Sequence, residues 1–202
     1  MGETESSSTE TAGDTYVSNM DGPAERTDAQ VVRDVLSGDR DAYRLLVRRY
    51  GDMLFGHAAR MVGSQDEAAD LVQRALVKGF RRLGSCRDPD RVGAWLFRIL
   101  SNLSKDHLRS PRRHDVSLYR VPEIPEDRGD PLEATHQGEL RGRLRLAMGQ
   151  LTPEQREAFL LKHVEGRSYE EMAAVLDQSV ASLKMRVHRA REALQDLLED
   201  FR

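Results

Sequence analysis

The 202-residue chain is 39% hydrophobic, only 5% aromatic and 32% charged, the profile of a leucine- and alanine-rich helical protein with modest cores. No apolar run approaches the roughly 20 residues that span a bilayer, so no membrane insertion is expected, and the lone Cys86 excludes an internal disulfide or a cysteine-rich zinc site. The net charge of −3 divides unevenly: residues 1–27 hold six acids against one arginine, net −5, while residues 28–110 carry 15 basic against 11 acidic side chains. An acidic segment thus masks a mildly basic body, and bulk charge alone does not decide for nucleic acid.

Residues 1–27, rich in Ser, Thr and Glu, read as a disordered acidic tail. They have neither a basic n-region nor an apolar h-region, so no secretory signal is expected and the chain reads as cytoplasmic. The helical pattern starts at Ala29. In the stretch that follows, Leu45, Leu46, Tyr50, Met53, Leu54, Ala58 and Met61 recur at three- and four-residue spacings. Ser64 reads as the N-cap of the next helix, with Glu67 closing a capping box. In that helix Ala68, Ala69, Val72, Leu76, Gly79 and Phe80 are the expected buried face. Glu67, Asp70, Arg74, Lys78 and Arg81 lie outside, with Leu71 and Val77 stranded among them, and exposed aliphatics beside fixed charges suggest a protein-docking surface. Asp90 is the expected N-cap of a further helix running to Arg109, just before Pro111.

That helix carries two arcs. Trp95, Leu96, Ile99, Leu100 and Leu103 form an apolar one, so Trp95 reads as core rather than as a stacking platform. Arg91, Arg98, Asn102, Lys105 and Arg109 form a stripe, extended past the helix end by Arg112 and Arg113. A solvated face would normally intersperse acids, whereas an uninterrupted cationic stripe with one amide suits phosphates and a base or sugar. Residues 111–136, with four prolines between Pro111 and Pro131, read as a flexible linker separating the 28–110 domain from a second helical domain, 137–202.

The second domain is strongly punctuated. Thr152, Pro153 and Gln155 spell an N-cap, an N1 proline and a capping-box partner. Gly166 stops that helix, and Ser168 with Glu171 repeats the box. This helix ends near Leu176 and Ser179 caps the next: helix, tight turn, helix, the layout of a helix-turn-helix. In the last helix Val180, Leu183, Val187, Ala190 and Leu194 share one side. Lys184, Met185, His188 and Arg189 share the other, with Arg186 and Arg191 flanking toward phosphates. Arginine and lysine suit a groove-facing surface because guanine edges and phosphate oxygens are acceptors. A basic helix alone is commonly a solvated face; the capped helix at a tight turn before it favours DNA. The six histidines show no metal-ligand spacing, and no phosphate loop or nucleophile elbow is present, so no catalytic residue, metal or cofactor is expected.

These segments resemble the extracytoplasmic-function (ECF) sigma factors of bacterial RNA polymerase. "GDRDAYRLLVRRYGDMLFGHAARMVGSQDEAADLVQRALVKGFRRL" is similar to the family's opening segment, "DPDRVGAWLFRILSNLSKDHLRSPRR" to its W-L-x-R-I-x-x-N block, and "LTPEQREAFLLKHVEGRSYEEMAAVLDQSVASLKMRVHRARE" to its C-terminal helix-turn-helix. The resemblance implies an all-α fold: a σ2-like helical bundle and a σ4-like helix-turn-helix on a flexible linker. It implies core polymerase as partner, contacted at the β′ coiled coil and β flap, with Asp70, Gln73, Arg74 and Val77 on the docking helix. It further implies promoter DNA, with the −10 element held by the stripe and the loop "GSCRDPDRVG". The −35 element then falls to Ser182, Lys184, Met185, Arg186, His188, Arg189 and Arg191. An anti-sigma factor is an implied partner as well. Three positions depart from the family pattern: Arg74 where Glu is common, Asp177 where a turn glycine is common, and "ASLKMR" for "GTVKSR". Asp tolerates the left-handed conformation better than most residues. The rival readings are an autonomous helix-turn-helix regulator and a helical adaptor that binds proteins without DNA; nothing in the sequence supports an enzyme.

Overall fold

The structure, a computed structural model, describes residues 26–110, 142–144 and 146–199, and the expected tail up to residue 25 and the expected linker lie outside them. The described residues form helices and turns. Helix α1, Asp28–Leu36, opens on a complete capping box: the Thr27 side chain accepts from the Gln30 N–H, and the Gln30 side chain accepts from the Thr27 N–H. Arg26 pairs with Asp34 at 3.0 Å. Arg26 and Thr27, which the sequence assigns to the tail, thus take part in the start of α1. Asp28 ties α1 to the next helix, accepting from Arg49 at 2.7 Å and from the Tyr50 hydroxyl.

Helix α2, Tyr43–Val62, follows a 3-10 turn, Arg40–Ala42, capped by the Asp39 side chain. It ends at Gly63, whose φ of 80° supplies the left-handed C-cap. Helix α3, Gln65–Arg82, starts with Ser64 as the expected N-cap, accepting from the Glu67 N–H, but the expected capping box is only half formed, and the Glu67 carboxylate lies 3.4 Å from His107 on α4. Two 3-10 turns, Leu83–Ser85 and Pro89–Arg91, lead into α4, Val92–Arg109. Asp90 is not the N-cap of α4. Pro89 fixes φ one residue earlier and starts the 3-10 turn, which leaves Asp90 inside it and Arg91 at the helix boundary.

Two glycines set how closely these helices approach. A Cβ at Gly79 of α3 would overlap the Leu96 side chain of α4 and crowd the Tyr43 hydroxyl, and one at Gly93 of α4 would overlap the Tyr50 ring. The Tyr43 hydroxyl donates to the Leu76 carbonyl at 2.8 Å, and burial pushes its pKa up to about 12. Because α3 also packs on α4, its buried face is turned relative to the expected one. Leu71 and Ala75 are buried, Ala69 is exposed, and of the two stranded aliphatics only Val77 stands in solvent.

The C-terminal part holds a helical segment at 146–150, then α5, Pro153–Phe159, continued by one π-helical turn, Leu160–Val164. Helices α6, Tyr169–Leu176, and α7, Val180–Glu199, complete it. Both expected capping boxes, Thr152 with Gln155 and Ser168 with Glu171, are closed. Asp177 takes φ 57° and ψ 48°, the left-handed turn that lets α7 depart sharply from α6. Leu183, Val187, Ala190 and Leu194 are buried as the wheel predicts, while Val180 is half-buried.

The two parts share one core. A single apolar cluster runs from Leu46, Leu54, Met61 and Leu96 into Leu161, Met172, Leu183 and Val187. A smaller cluster around Ala147, Leu151, Ala190 and Leu194 fastens the 146–150 segment to the far half of α7.

Candidate nucleic-acid interface

The cationic face of α7 is held out by the apolar face beneath it. Lys184, Met185, His188, Arg189 and Arg191 are exposed, Met185 by 49%, whereas Ser182 and Arg186 are half-buried. Arg186 donates to Gln178 in the turn at 3.1 Å, so its guanidinium lies back along the helix start. His188 sits 3.5 Å from Glu192 one turn on. Lys184 lies 5.7 Å from the Tyr169 ring centre, a cation–π distance. The outer face of the helix-turn-helix is thus the surface the sequence indicates, small enough in section for a major groove.

The stripe on α4 has a different setting. Arg91 and Asn102 are exposed, but Arg98, Lys105 and Arg109 face the C-terminal part. Arg98 donates to Asp177 at 2.6 Å, and Lys105 donates to Glu157 at 2.9 Å and to Ser101 at 2.8 Å. Arg109 pairs with Glu154. Glu157 is wholly buried and Lys105 largely so. Arg112 and Arg113 lie outside the described residues. Trp95 is half-buried against the core, as expected.

A second cluster joins the two parts beside this one. Glu165, placed by the end of the π-helical turn, accepts from the buried His57 ring at 2.7 Å and from Arg60 at 3.2 Å. Burial alone would raise the Glu165 carboxyl; hydrogen bonds and charge from His57 and Arg60 outweigh it and hold the pKa at about 2. Arg156 donates to the carbonyls of Met61, Met148 and Gly149. Arg167 lies over the Phe97 ring.

On the opposite side of α3, Asp70, Gln73, Arg74 and Val77 are all exposed, with Asp70 and Arg74 paired at 3.3 Å. Gln73 and Val77 line an open apolar groove of about 610 Å³ between α2 and α3, together with Val47, Phe55, Leu76 and Phe80. Phe55, 36% exposed, was not among the expected residues. Its position off the apolar stripe of α2 was the signal: an aromatic residue outside the core face marks a surface that something covers. Glu157 was equally readable, a charge in register with Leu160 and Leu161 on one arc of α5 and the π-helical turn that continues it.

Among the described residues no group of three or more His, Cys, Asp or Glu side chains is placed to hold a metal, and no described helix is long and apolar enough to cross a membrane.

A helix-turn-helix with a cationic second helix, packed on a helical bundle with its own cationic stripe, defines a DNA-binding protein of two all-α regions. Residues 46–114 match the family Sigma-70 region 2, and residues 141–194 match Sigma-70, region 4. The chain is 33% identical to the RNA polymerase sigma-H factor of Pseudomonas aeruginosa over 85% of its own length and 94% of the relative's. It is 32% identical to the ECF RNA polymerase sigma-E factor of Escherichia coli K12, over 86% and 95%. Among solved structures it is similar to CnrH in complex with the cytosolic domain of CnrY, with a TM-score of 0.57 and 30% identity over 86% of this chain and 97% of that one. It is also similar to the sigma factor RpoE of Bartonella quintana, solved with the anti-sigma factor NepR, with a TM-score of 0.56 and 29% identity over 79% and 98%. The chain belongs to the ECF sigma factors of the sigma-70 family. It is an initiation factor that binds core RNA polymerase and directs it to promoters, and members of this family are not themselves enzymes.

Proposed function

We propose that the groove between α2 and α3, lined by Gln73 and Val77, is where this sigma factor seats on core polymerase, in the cytoplasm, with the exposed Asp70 and Arg74 of the same helix adding contacts beyond it. An open apolar groove edged by an amide, on a helix that also exposes a pair of charges, fits a helical partner that buries apolar side chains and satisfies polar ones around them. Once seated, α4 and the turns at 83–91 engage the −10 element through Arg91, Arg98, Asn102, Lys105 and Arg109. The exposed face of α7 reads the −35 element, Lys184, His188 and Arg189 reaching base edges while Arg186 and Arg191 hold phosphates. The observation that carries this division is that each region presents its own cationic helix. An anti-sigma factor, as NepR is for the similar RpoE, is the partner we expect to block the groove or the interface between the regions.

Run-off transcription with core polymerase, with and without the protein, tests the reading. Promoter-specific transcripts that depend on the protein are expected. Tight operator binding by the protein alone, with no transcripts on adding core, would establish the autonomous regulator instead.

A further inference from the structure

Met185 projects almost straight away from the buried side of α7. At about 100° per residue it is turned by about 170° from the mean direction of the stripe Leu183, Val187, Ala190 and Leu194. Its surroundings on that side are polar: Lys184, His188 and Arg189 lie about it, all exposed. Two of them lean toward partners of their own, Lys184 toward the Tyr169 ring at 5.7 Å and His188 toward Glu192 at 3.5 Å. Met185 is 49% exposed and is the one large apolar side chain of α7 to stand so far out among the described residues. One turn before it lies Ala181, also exposed and small enough to let the helix come close to the floor of a groove.

We propose that Met185 is a specificity-determining residue that reads the C5-methyl group of a thymine in the −35 element. The inference rests on α7 being the −35 surface described above. A recognition helix reaches base edges with its N-terminal turns, and Met185 stands in the second turn of α7. A thioether has no proton to donate and accepts only weakly, so it cannot sort the donors and acceptors of the major groove. What it can bind there is an apolar edge, and thymine alone among the four bases presents a methyl in that groove. The flexible methionine chain lets its terminal methyl settle against that group. Arg189 lies one turn further on, about 6 Å along the helix axis, which is less than two base-pair steps of about 3.4 Å each. The thymine that Met185 reads and the base that Arg189 reads are therefore within about two steps of one another. At this position "ASLKMR" has a thioether where "GTVKSR" has a hydroxyl, so the base preference belongs to this chain and not to the family pattern.

The test uses holoenzyme reconstituted from the full-length protein and core polymerase, limiting over a duplex promoter that carries its preferred −35 element. Each thymine of that element, on either strand, is replaced singly by deoxyuridine, which removes the C5-methyl and leaves every hydrogen-bonding group in place. At one thymine the wild type should lose about fourfold in transcript, the worth of one buried methyl. That thymine should lie within about two base pairs of the position at which Arg189→Ala relaxes the preference. Met185→Ala and Met185→Ser, with folding checked by circular dichroism, should transcribe the thymine and deoxyuridine templates alike. Met185→Leu keeps the apolar bulk and should keep most of the difference. A wild type indifferent to deoxyuridine at every thymine overturns the proposal, as does a preferred element without thymine or a difference that survives Met185→Ala. Arg189→Ala separates this contact from the wider reading. If that variant also leaves the preferred sequence unmoved, α7 does not read the −35 element and both claims fall; if it shifts the sequence while deoxyuridine has no effect, only the thymine contact falls.

Discussion

Glu165 offers a way to weigh the cluster that joins the two regions. Its carboxyl is held at about 2 against an ordinary value near 4.5, because His57 and Arg60 outweigh the burial that would raise it. A folded-state pKa below the unfolded one means the native state favours the charged form. The stabilisation is then present in full above about pH 4.5 and disappears as pH falls through about 2. A shift of this size corresponds to about 3 kcal/mol, and the side chain is only 10% exposed, so solvent screening removes little of it. Glu165→Gln keeps the shape and an acceptor but cannot ionise. Urea unfolding of wild type and variant at pH 7, 5, 4, 3 and 2 isolates the residue, since every other acid titrates in both proteins. Wild type should be the more stable by up to about 3 kcal/mol at pH 7, with the gap unchanged to pH 5 and narrowing toward zero at pH 2. A gap that stays constant from pH 7 to pH 2 would refute the ionic account of this contact.

Three further outcomes follow from the packing and the groove. Gly93→Ala and Gly79→Ala force a methyl into the Tyr50 ring and the Leu96 side chain, and each should lower stability by about 1–3 kcal/mol, seen as a fall in Tm; an unchanged Tm would mean α4 can shift without cost. Asp177→Ala should lose about 1 kcal/mol because its φ is 57°, whereas Asp177→Gly should not; equal thermal melts for both would contradict that. Phe55→Asp and Val77→Asp place a charge on the groove lip and should reduce capture by core polymerase at least about tenfold, the effect of burying an unpaired charge, with circular dichroism unchanged; undiminished capture would put the docking surface elsewhere.

The elements that the sequence announced are those stabilised locally. Capping boxes at Thr152 and Ser168 are written within four residues, and the apolar stripe of α7 repeats at helical spacing, so both were readable without tertiary information. Where a tertiary neighbour decides, the reading slipped. The buried face of α3 turned toward Leu71 and Ala75 because α4 packs there, and a wheel has no knowledge of which side a neighbour takes. Pro89 moved the start of α4 past Asp90. The stripe on α4 is legible in the sequence as a set of cations, but its partners come from 45 to 79 residues away, a separation at which no periodicity carries information. The π-helical turn that delivers Glu165 to His57 had no sequence signature at all.

The central claim is that this sigma factor chooses promoters with the outer face of α7. Transcription by reconstituted polymerase from a promoter library randomised only in the −35 element, at two salt concentrations, tests it most directly. For Arg189→Ala or Lys184→Ala the preferred −35 sequence should change, with about 1–3 kcal/mol of discrimination lost at the affected base. For Arg191→Ala all promoters should weaken alike and the salt dependence should flatten. A uniform loss in every variant, with the preferred sequence unmoved, would mean that α7 grips DNA without reading it.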